Sequence, residues 1–303
     1  MKLKQVGIFV LLLSLLISMV AGCQPKFQPG TYTDDLGRQV EINEIPERIV
    51  SFGPNITEIL FALDLGGNVV GVSDFCDYPE AAKSKPKIGN AFSPSIEKVV
   101  ELEPDLVLTV KHAQFNSELD GLGIKYVVLD PKDVNSIVDS IDLAAEVTGK
   151  VEEGKQLVKD MRDRISQVVR TVGGAPKVSV FFIVDATDPN NPWTAGPGSF
   201  IDDIISTVGG ENIAAEASSA WAQLSIEQIV SSDPDIIVIQ TMVGGVPTVS
   251  KEVLKEHPAW QEMTAVKQDR IYFIDGDLVS RPGPRIVQGL EEMAKAIHPE
   301  LFE

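Results

Sequence analysis

Cysteine is nearly missing from this 303-residue chain, which holds only Cys23 and Cys76. Two cysteines so far apart exclude a disulfide framework and a cysteine-rich metal cluster. Histidine is almost as scarce. His257 and His298 each precede a proline, as structural residues at helix edges do, and His112 follows a predicted strand. His112 could face a cleft, but a lone histidine lacks the partners that a metal site needs. There is no Gly-x-Ser-x-Gly elbow, no Walker-type loop and no His-Glu-x-x-His pair. We therefore assign no catalytic residue, no metal site and no resident cofactor, and set aside the rival reading of an enzyme of α/β architecture, such as an extracellular metal-dependent hydrolase. Basic residues are also short, 26 Lys and Arg against 44 Asp and Glu, for a formal net charge of −18. General nucleic-acid binding needs clustered Lys and Arg and is excluded.

Only one apolar run is long. Lys2 and Lys4 precede an uncharged, mostly apolar stretch over 6–20, and Ala21-Gly22 leads into Cys23. The stretch suits a secretory signal and is short for a membrane span. Val20-Ala21-Gly22-Cys23 resembles a bacterial lipobox, so residues 1–22 are expected to be removed and Cys23 lipidated. Two or more acyl chains anchor stably, at about 0.8 kcal/mol per buried methylene. Loss of the two lysines takes the charge to −20. The expected location is the extracytoplasmic face of the bacterial cytoplasmic membrane.

The rest divides by pattern. Residues 23–45 read as a lipid tether and a hairpin, with turn residues at Thr33-Asp34-Asp35-Leu36-Gly37-Arg38. Residues 46–131 alternate strand and helix as a first lobe, including a helix over 55–65 ended by Gly66-Gly67. Residues 132–172 read as helical with a break at Thr148-Gly149, a candidate beam between lobes. Its second piece has apolar residues at mostly helical spacing and a length of roughly 30 Å. After Gly173-Gly174-Ala175-Pro176, residues 173–303 resume the alternation as a second lobe. The expected fold is α/β: two Rossmann-like lobes joined by a long rigid helix, with a ligand cleft between them.

An internal repeat supports two lobes. Ser95-Ile96-Glu97 followed by Pro104-Asp105-Leu106 recurs 130 residues later as Ser225-Ile226-Glu227 followed by Pro234-Asp235-Ile236. Glu97 and Glu227 each fall in a first helical turn, where an acid complements the helix dipole by about 0.3–1 kcal/mol and needs no other role. As a matched pair they could instead offer one carboxylate per lobe to arginines on a two-fold partner. Phe75, Phe92, Trp193 and Trp221 read as loop aromatics beside strand ends, suited to a wide, flat, largely apolar ligand, whereas Trp260 reads as core. In the turn-rich segment 275–285, Asp277 and Arg281 could bond amide and carbonyl groups of a ligand. Alternatively they pair with each other at the surface, which contributes little.

From Thr33 onward the chain resembles the class III, helical-backbone substrate-binding proteins of ABC importers for metal chelates. The likeness rests on Asp35-Leu36-Gly37-Arg38, Pro46-Glu47-Arg48-Ile49-Val50-Ser51 and the doubled Pro-Asp strand entry. Within that family it is similar to the cobalamin binders through Asp77-Tyr78-Pro79, Trp193-Thr194-Ala195-Gly196, Gly209-Gly210-Glu211-Asn212-Ile213 and Arg281-Pro282-Gly283-Pro284-Arg285. The resemblance implies a corrinoid ligand, held by Phe75, Trp193, Trp221, Asp277 and Arg281, with Phe92 a further candidate. It implies that Glu97 and Glu227 dock on arginines of an ABC permease dimer with its ATPase subunits. Val110 departs from it, standing where an aromatic is expected. Ferric siderophore or haem is the alternative ligand of the same class. A trianionic siderophore would want more basic groups than Arg281, Arg285, Lys87 and Lys111 supply, and haem would want axial ligation, for which Tyr78 and His112 are the candidates.

Overall fold

Strands buried on both faces read as continuous apolar runs, and such runs pair in parallel under helices. Ile49–Phe52 (β3) and Leu106–Thr109 (β7) are buried at every position. In the computed structural model, which describes residues 27–302 except Val243, both lie at the centre of a parallel sheet. Val69–Val72 (β4) and Tyr126–Val128 (β8) flank them, in the order β4-β3-β7-β8. A second parallel sheet is built from Val178–Ile183 (β9), Gly210–Asn212 (β11), Ile236–Met242 (β13) and Ile271–Asp275 (β15). Here β9 pairs with β11 and β13, and β13 pairs with β15. In both sheets the order is second, first, third, fourth.

The shared order extends to detail. Asp105 accepts from the Glu47 and Arg48 amides and so fixes the start of β3. Asp235, 130 residues on, accepts from the Ser179 amide and hydroxyl and fixes the start of β9. Each Pro-Asp pair thus staples the entry of one central strand to its neighbour.

Eleven helices stand among the described residues. Pro54–Ala62 (α1) joins β3 to β4, and Ile96–Glu101 (α2) and Ala113–Leu122 (α3) flank β7. Val134–Val147 (α4) and Val151–Val172 (α5) occupy the segment read from sequence as one interrupted beam. They form a hairpin: Gly149 turns the chain at φ +75, and Gly154 packs against Ala145 so closely that a Cβ there would collide. The second arm, α5, is the long one, about 33 Å at 1.5 Å per residue. Its buried Val158, Met161, Val168 and Val172 join one core with Ile49 and Leu106 of the first sheet and Val180 and Val238 of the second.

In the second lobe the helices are Phe200–Thr207 (α6), Ile226–Ser232 (α7), Lys251–Glu256 (α8), Thr264–Lys267 (α9), Gly276–Val279 (α10) and Ile286–Ile297 (α11). Three small ribbons complete the fold. Gly30–Thr33 (β1) pairs with Gln39–Ile42 (β2), Gly89–Asn90 (β5) with Ser93–Pro94 (β6), and Trp193–Ala195 (β10) with Trp221–Gln223 (β12). A final hairpin strand, Val246–Pro247 (β14), folds back on the end of β13.

Three features differ from the sequence reading. The first helix ends at Ala62, and its left-handed terminator is Asp64 at φ +58 rather than Gly66-Gly67. The β1–β2 hairpin is a hairpin as its turn residues predict, but instead of standing apart with the tether in segment 23–45 it is fastened to the first lobe. The buried Asp34 carboxylate accepts from the Val128 amide, and Asp35 accepts from the Asp130 amide and the Ser140 hydroxyl. Trp193 and Trp221 open paired strands and do not sit in free loops. The signal segment 1–22 and Cys23 lie outside the described residues.

Candidate functional site

In open α/β sheets the ligand crevice forms beyond the carboxyl ends of the strands, where the strand order reverses. Here that place is beyond β3 and β7 in one lobe and β9 and β13 in the other. A cavity of about 300 Å³ opens there, with walls from both lobes: Asn55 after β3, Val110 after β7, and Phe200, Trp221, Ser280 and Pro282 opposite.

The tryptophans owe their position to the β10–β12 ribbon, which hangs from the end of β9 through the Trp193 amide donating to the Asp185 carbonyl at 2.7 Å. Trp193 lies opposite Gln223, and Trp221 opposite Ala195. Residues i and i+2 of a strand share a face, so both indoles stand on one side of the ribbon as diagonal neighbours. They are 44% and 45% exposed, whereas Thr194 and Ala222 between them are buried. Trp221 also meets Phe200 edge-on at 6.1 Å. Trp260 is core: fully buried, against Phe181, with its indole nitrogen donating to the Pro189 carbonyl at 2.9 Å.

In the first lobe Phe75 follows β4 and is 55% exposed. Phe92 tips the β5–β6 hairpin and is 92% exposed, in contact with almost nothing. The hairpin is held by His112, whose Nε2 lies 2.9 Å from the Ala91 carbonyl oxygen while Nδ1 accepts from the Phe115 amide. Both ring nitrogens are engaged, so His112 is a helix cap and hairpin tie. Val110, where the resemblance implies an aromatic, lines the cavity with a smaller side chain.

Asp277 and Arg281 do pair, at 2.7 Å, but Arg281 is 8% exposed and the pair is not a surface one. The same guanidinium reaches Asp77 of the first lobe at 2.6 Å and approaches Glu58 to 3.5 Å. Arg285 donates from Nε and Nη2 to the two oxygens of Glu58 at 2.9 and 2.6 Å, and its flat face lies 4.0 Å from the centre of the Tyr78 ring. Gly283, between them, rests on the Asn55 backbone where a Cβ would be tight. Five charged groups and one ring thus clasp the lobes together.

Burial pushes the Glu58 carboxyl above the ordinary carboxylate range, and the hydrogen bonds and charges of Arg285 and Arg281 only partly offset it. Burial also acts most strongly on Asp77, but Arg281 outweighs it and holds that carboxyl low. Asp277 is raised by burial, against the pull of Arg281 and with the push of Asp77 and Asp275.

Sequence reasoning quoted Asp77 within a motif without a role, took Arg285 only as a basic group on the late cleft loop, and missed Glu58. A signal existed: an acid within 55–60, where Ile56, Ile59 and Leu60 mark a buried helix face, must find a cation. It also passed over Met242 and Val246, exposed apolar residues paired on the β13–β14 hairpin at the carboxyl end of β13.

Glu97 and Glu227 both stand exposed at the starts of α2 and α7, after Ser95 and Ser225, which cap the helices. Glu97 accepts only from the Ser95 hydroxyl, at 3.2 Å, and neither carboxylate has a cationic partner among the described residues. No group of three or more His, Cys, Asp or Glu among those residues could hold a metal ion.

The architecture has relatives. An uncharacterized ABC transporter substrate-binding lipoprotein of Bacillus subtilis is 34% identical over 99% of each chain. The periplasmic vitamin B12 binding protein of Vibrio cholerae superposes with a TM-score of 0.73 at 26% identity, covering 85% of this chain and 98% of its own. A periplasmic haem-binding protein from Roseiflexus sp. RS-1 superposes with a TM-score of 0.73 at 27% identity, over 84% and 99%. The model of one family, described as periplasmic binding protein, matches residues 49–278, a span that takes in both sheets and the crossing helix, and the chain belongs to that family.

Proposed function

We propose that this chain captures a corrinoid, cobalamin, in the cleft between its lobes and hands it to the permease of an ABC importer. The observation that carries the ligand is the β10–β12 ribbon, which offers two half-exposed indoles on one face beside a cavity with walls from both lobes. Stacked rings suit a broad macrocycle, and Phe75 and Phe92 supply further aromatic surface from the first lobe. The charges near the cleft point the same way. Arg281 and Arg285 are committed to carboxylates, Lys87 donates to the Cys76 carbonyl at 2.9 Å, and Lys132 pairs with Asp130 at 2.7 Å. Few cations are left for a trianionic siderophore, and His112 offers haem no free nitrogen. In this reading Asp277 and Arg281 frame the ligand while they hold the lobes. The transport role is supported by the family and by the Bacillus relative.

The test is titration of the purified protein with cobalamin, haem and ferric siderophores, followed by tryptophan fluorescence. Cobalamin should bind tightest, and Trp193→Ala and Trp221→Ala should each weaken it by about 1–3 kcal/mol, as expected for a buried aromatic anchor. Their melting temperatures should fall less than that of Trp260→Ala. Tight haem or siderophore binding without cobalamin binding would overturn the ligand, and normal cobalamin affinity in both variants would overturn the pocket.

The anchor belongs to the same proposal. Lipidated Cys23 would hold the protein beside its transporter, so Cys23→Ser should move it from the membrane pellet to the soluble fraction. Continued pelleting of that variant would refute the lipid attachment.

A further inference from the structure

The helices α2 and α7 bury one face and leave the other bare in matched fashion. Val99 and Ile229, 130 residues apart, are fully buried. The next residues, Val100 and Val230, point outward and are 46% and 38% exposed. Each stands three positions after the exposed glutamate of its helix, and residues at that spacing lie about 5–6 Å apart on one helical face. Each helix is then closed by a left-handed acidic residue, Glu103 at φ 45 and Asp233 at φ 41, so the two faces are set by the same local geometry. One exposed valine needs no explanation, since scattered apolar side chains are normal on protein surfaces. Recurrence beside an exposed carboxylate without a cationic partner, on each of two duplicated lobes, does need one.

We propose that Val100 and Val230 are the apolar halves of two matched docking patches, Glu97 with Val100 and Glu227 with Val230, for one two-fold-related protein partner. The inference rests on the permease-docking reading of the two glutamates and adds the contact that would make it selective. The complementary chemistry is an arginine on each half of the partner. Its guanidinium meets the carboxylate in a planar, two-pronged bond, and its methylene stem covers the valine. A basic partner also suits a chain of net charge −18. A lysine offers no planar two-pronged bond to the carboxylates, and an anionic membrane would be repelled by them.

The experiment compares Val100→Ser/Val230→Ser with Glu97→Arg/Glu227→Arg in the full-length protein. Binding to the cognate permease–ATPase complex in lipid nanodiscs is measured beside cobalamin affinity and thermal stability. The double serine variant should keep its cobalamin affinity and melting temperature while its affinity for the transporter falls roughly tenfold, with each single variant intermediate. Unchanged transporter affinity in the serine variant, with loss in the arginine variant, would overturn the valine patches and leave the glutamate docking intact. Unchanged affinity in both would overturn the two together.

Discussion

Arg285→Ala should lose about 3 kcal/mol of folding stability near neutral pH, with part of the loss recovered as the pH is lowered toward the ordinary carboxylate range. Glu58 is buried, and Arg285 gives it two charge-assisted hydrogen bonds. Removing one partner of a buried pair leaves the other charge without compensation, at a typical cost of about 3–5 kcal/mol. The lower end applies because Arg281 still lies 3.5 Å from the carboxylate. The sign of the pH dependence follows from the raised Glu58 carboxyl. Between the ordinary carboxylate range and its folded value the native state holds a proton that the unfolded state releases. Stability therefore falls as pH rises through that window. Without Arg285 burial is opposed less, so the window extends to higher pH and the fall is larger. Urea unfolding at two pH values measures it, and Glu58→Gln on the Arg285→Ala background should remove the extra pH dependence. A loss that is the same at both pH values would mean that Arg285 acts through packing on Tyr78 rather than through charge.

That clasp marks the limit of what could be read without coordinates. Two parallel lobes were legible because β3, β7, β9 and β13 are short apolar runs spaced by helices, and because the Pro-Asp entries recur at one offset. The crossing helix was legible from the apolar spacing over 151–172, but its hairpin with α4 was not. That fold-back depends on Gly154 meeting Ala145, a contact that no periodicity records. Trp193 and Trp221 were legible as cleft candidates by their Gly- and Pro-rich or polar settings. Their common face was not, since register between segments 28 residues apart is fixed only by pairing. Glu58, Asp77, Arg281 and Arg285 meet across more than 200 positions of chain, and only Asp277 with Arg281 is local. Long-range ion pairs leave no spacing signature, so the local partner alone was visible, and the pairing weighed as the alternative to ligand contact is a largely buried one rather than a surface one.

The double variant Glu97→Arg/Glu227→Arg should abolish uptake while its affinity for the proposed ligand stays that of the wild type. In the structure both residues sit on helix starts outside the cleft cavity, which neither lines, so ligand affinity has no reason to change. The helix-dipole role accounts for about 0.3–1 kcal/mol at each site, and Ser95 and Ser225 still cap the helices, so the protein should remain folded. If the carboxylates pair with arginines on a permease dimer, reversal turns two attractions into two like-charge repulsions and leaves the partner's cations unpaired. Transporter binding should then collapse, with each single variant showing part of the loss because one lobe still docks. Glu→Gln at both sites separates charge from helix chemistry: it keeps the side-chain shape and should weaken docking without repelling the partner. Cobalamin titration, capture of the transporter and uptake into reconstituted vesicles give the three readings on the same protein preparations. Normal uptake by the double arginine variant would return both glutamates to dipole service alone and leave the internal repeat as a record of duplication without a two-fold partner.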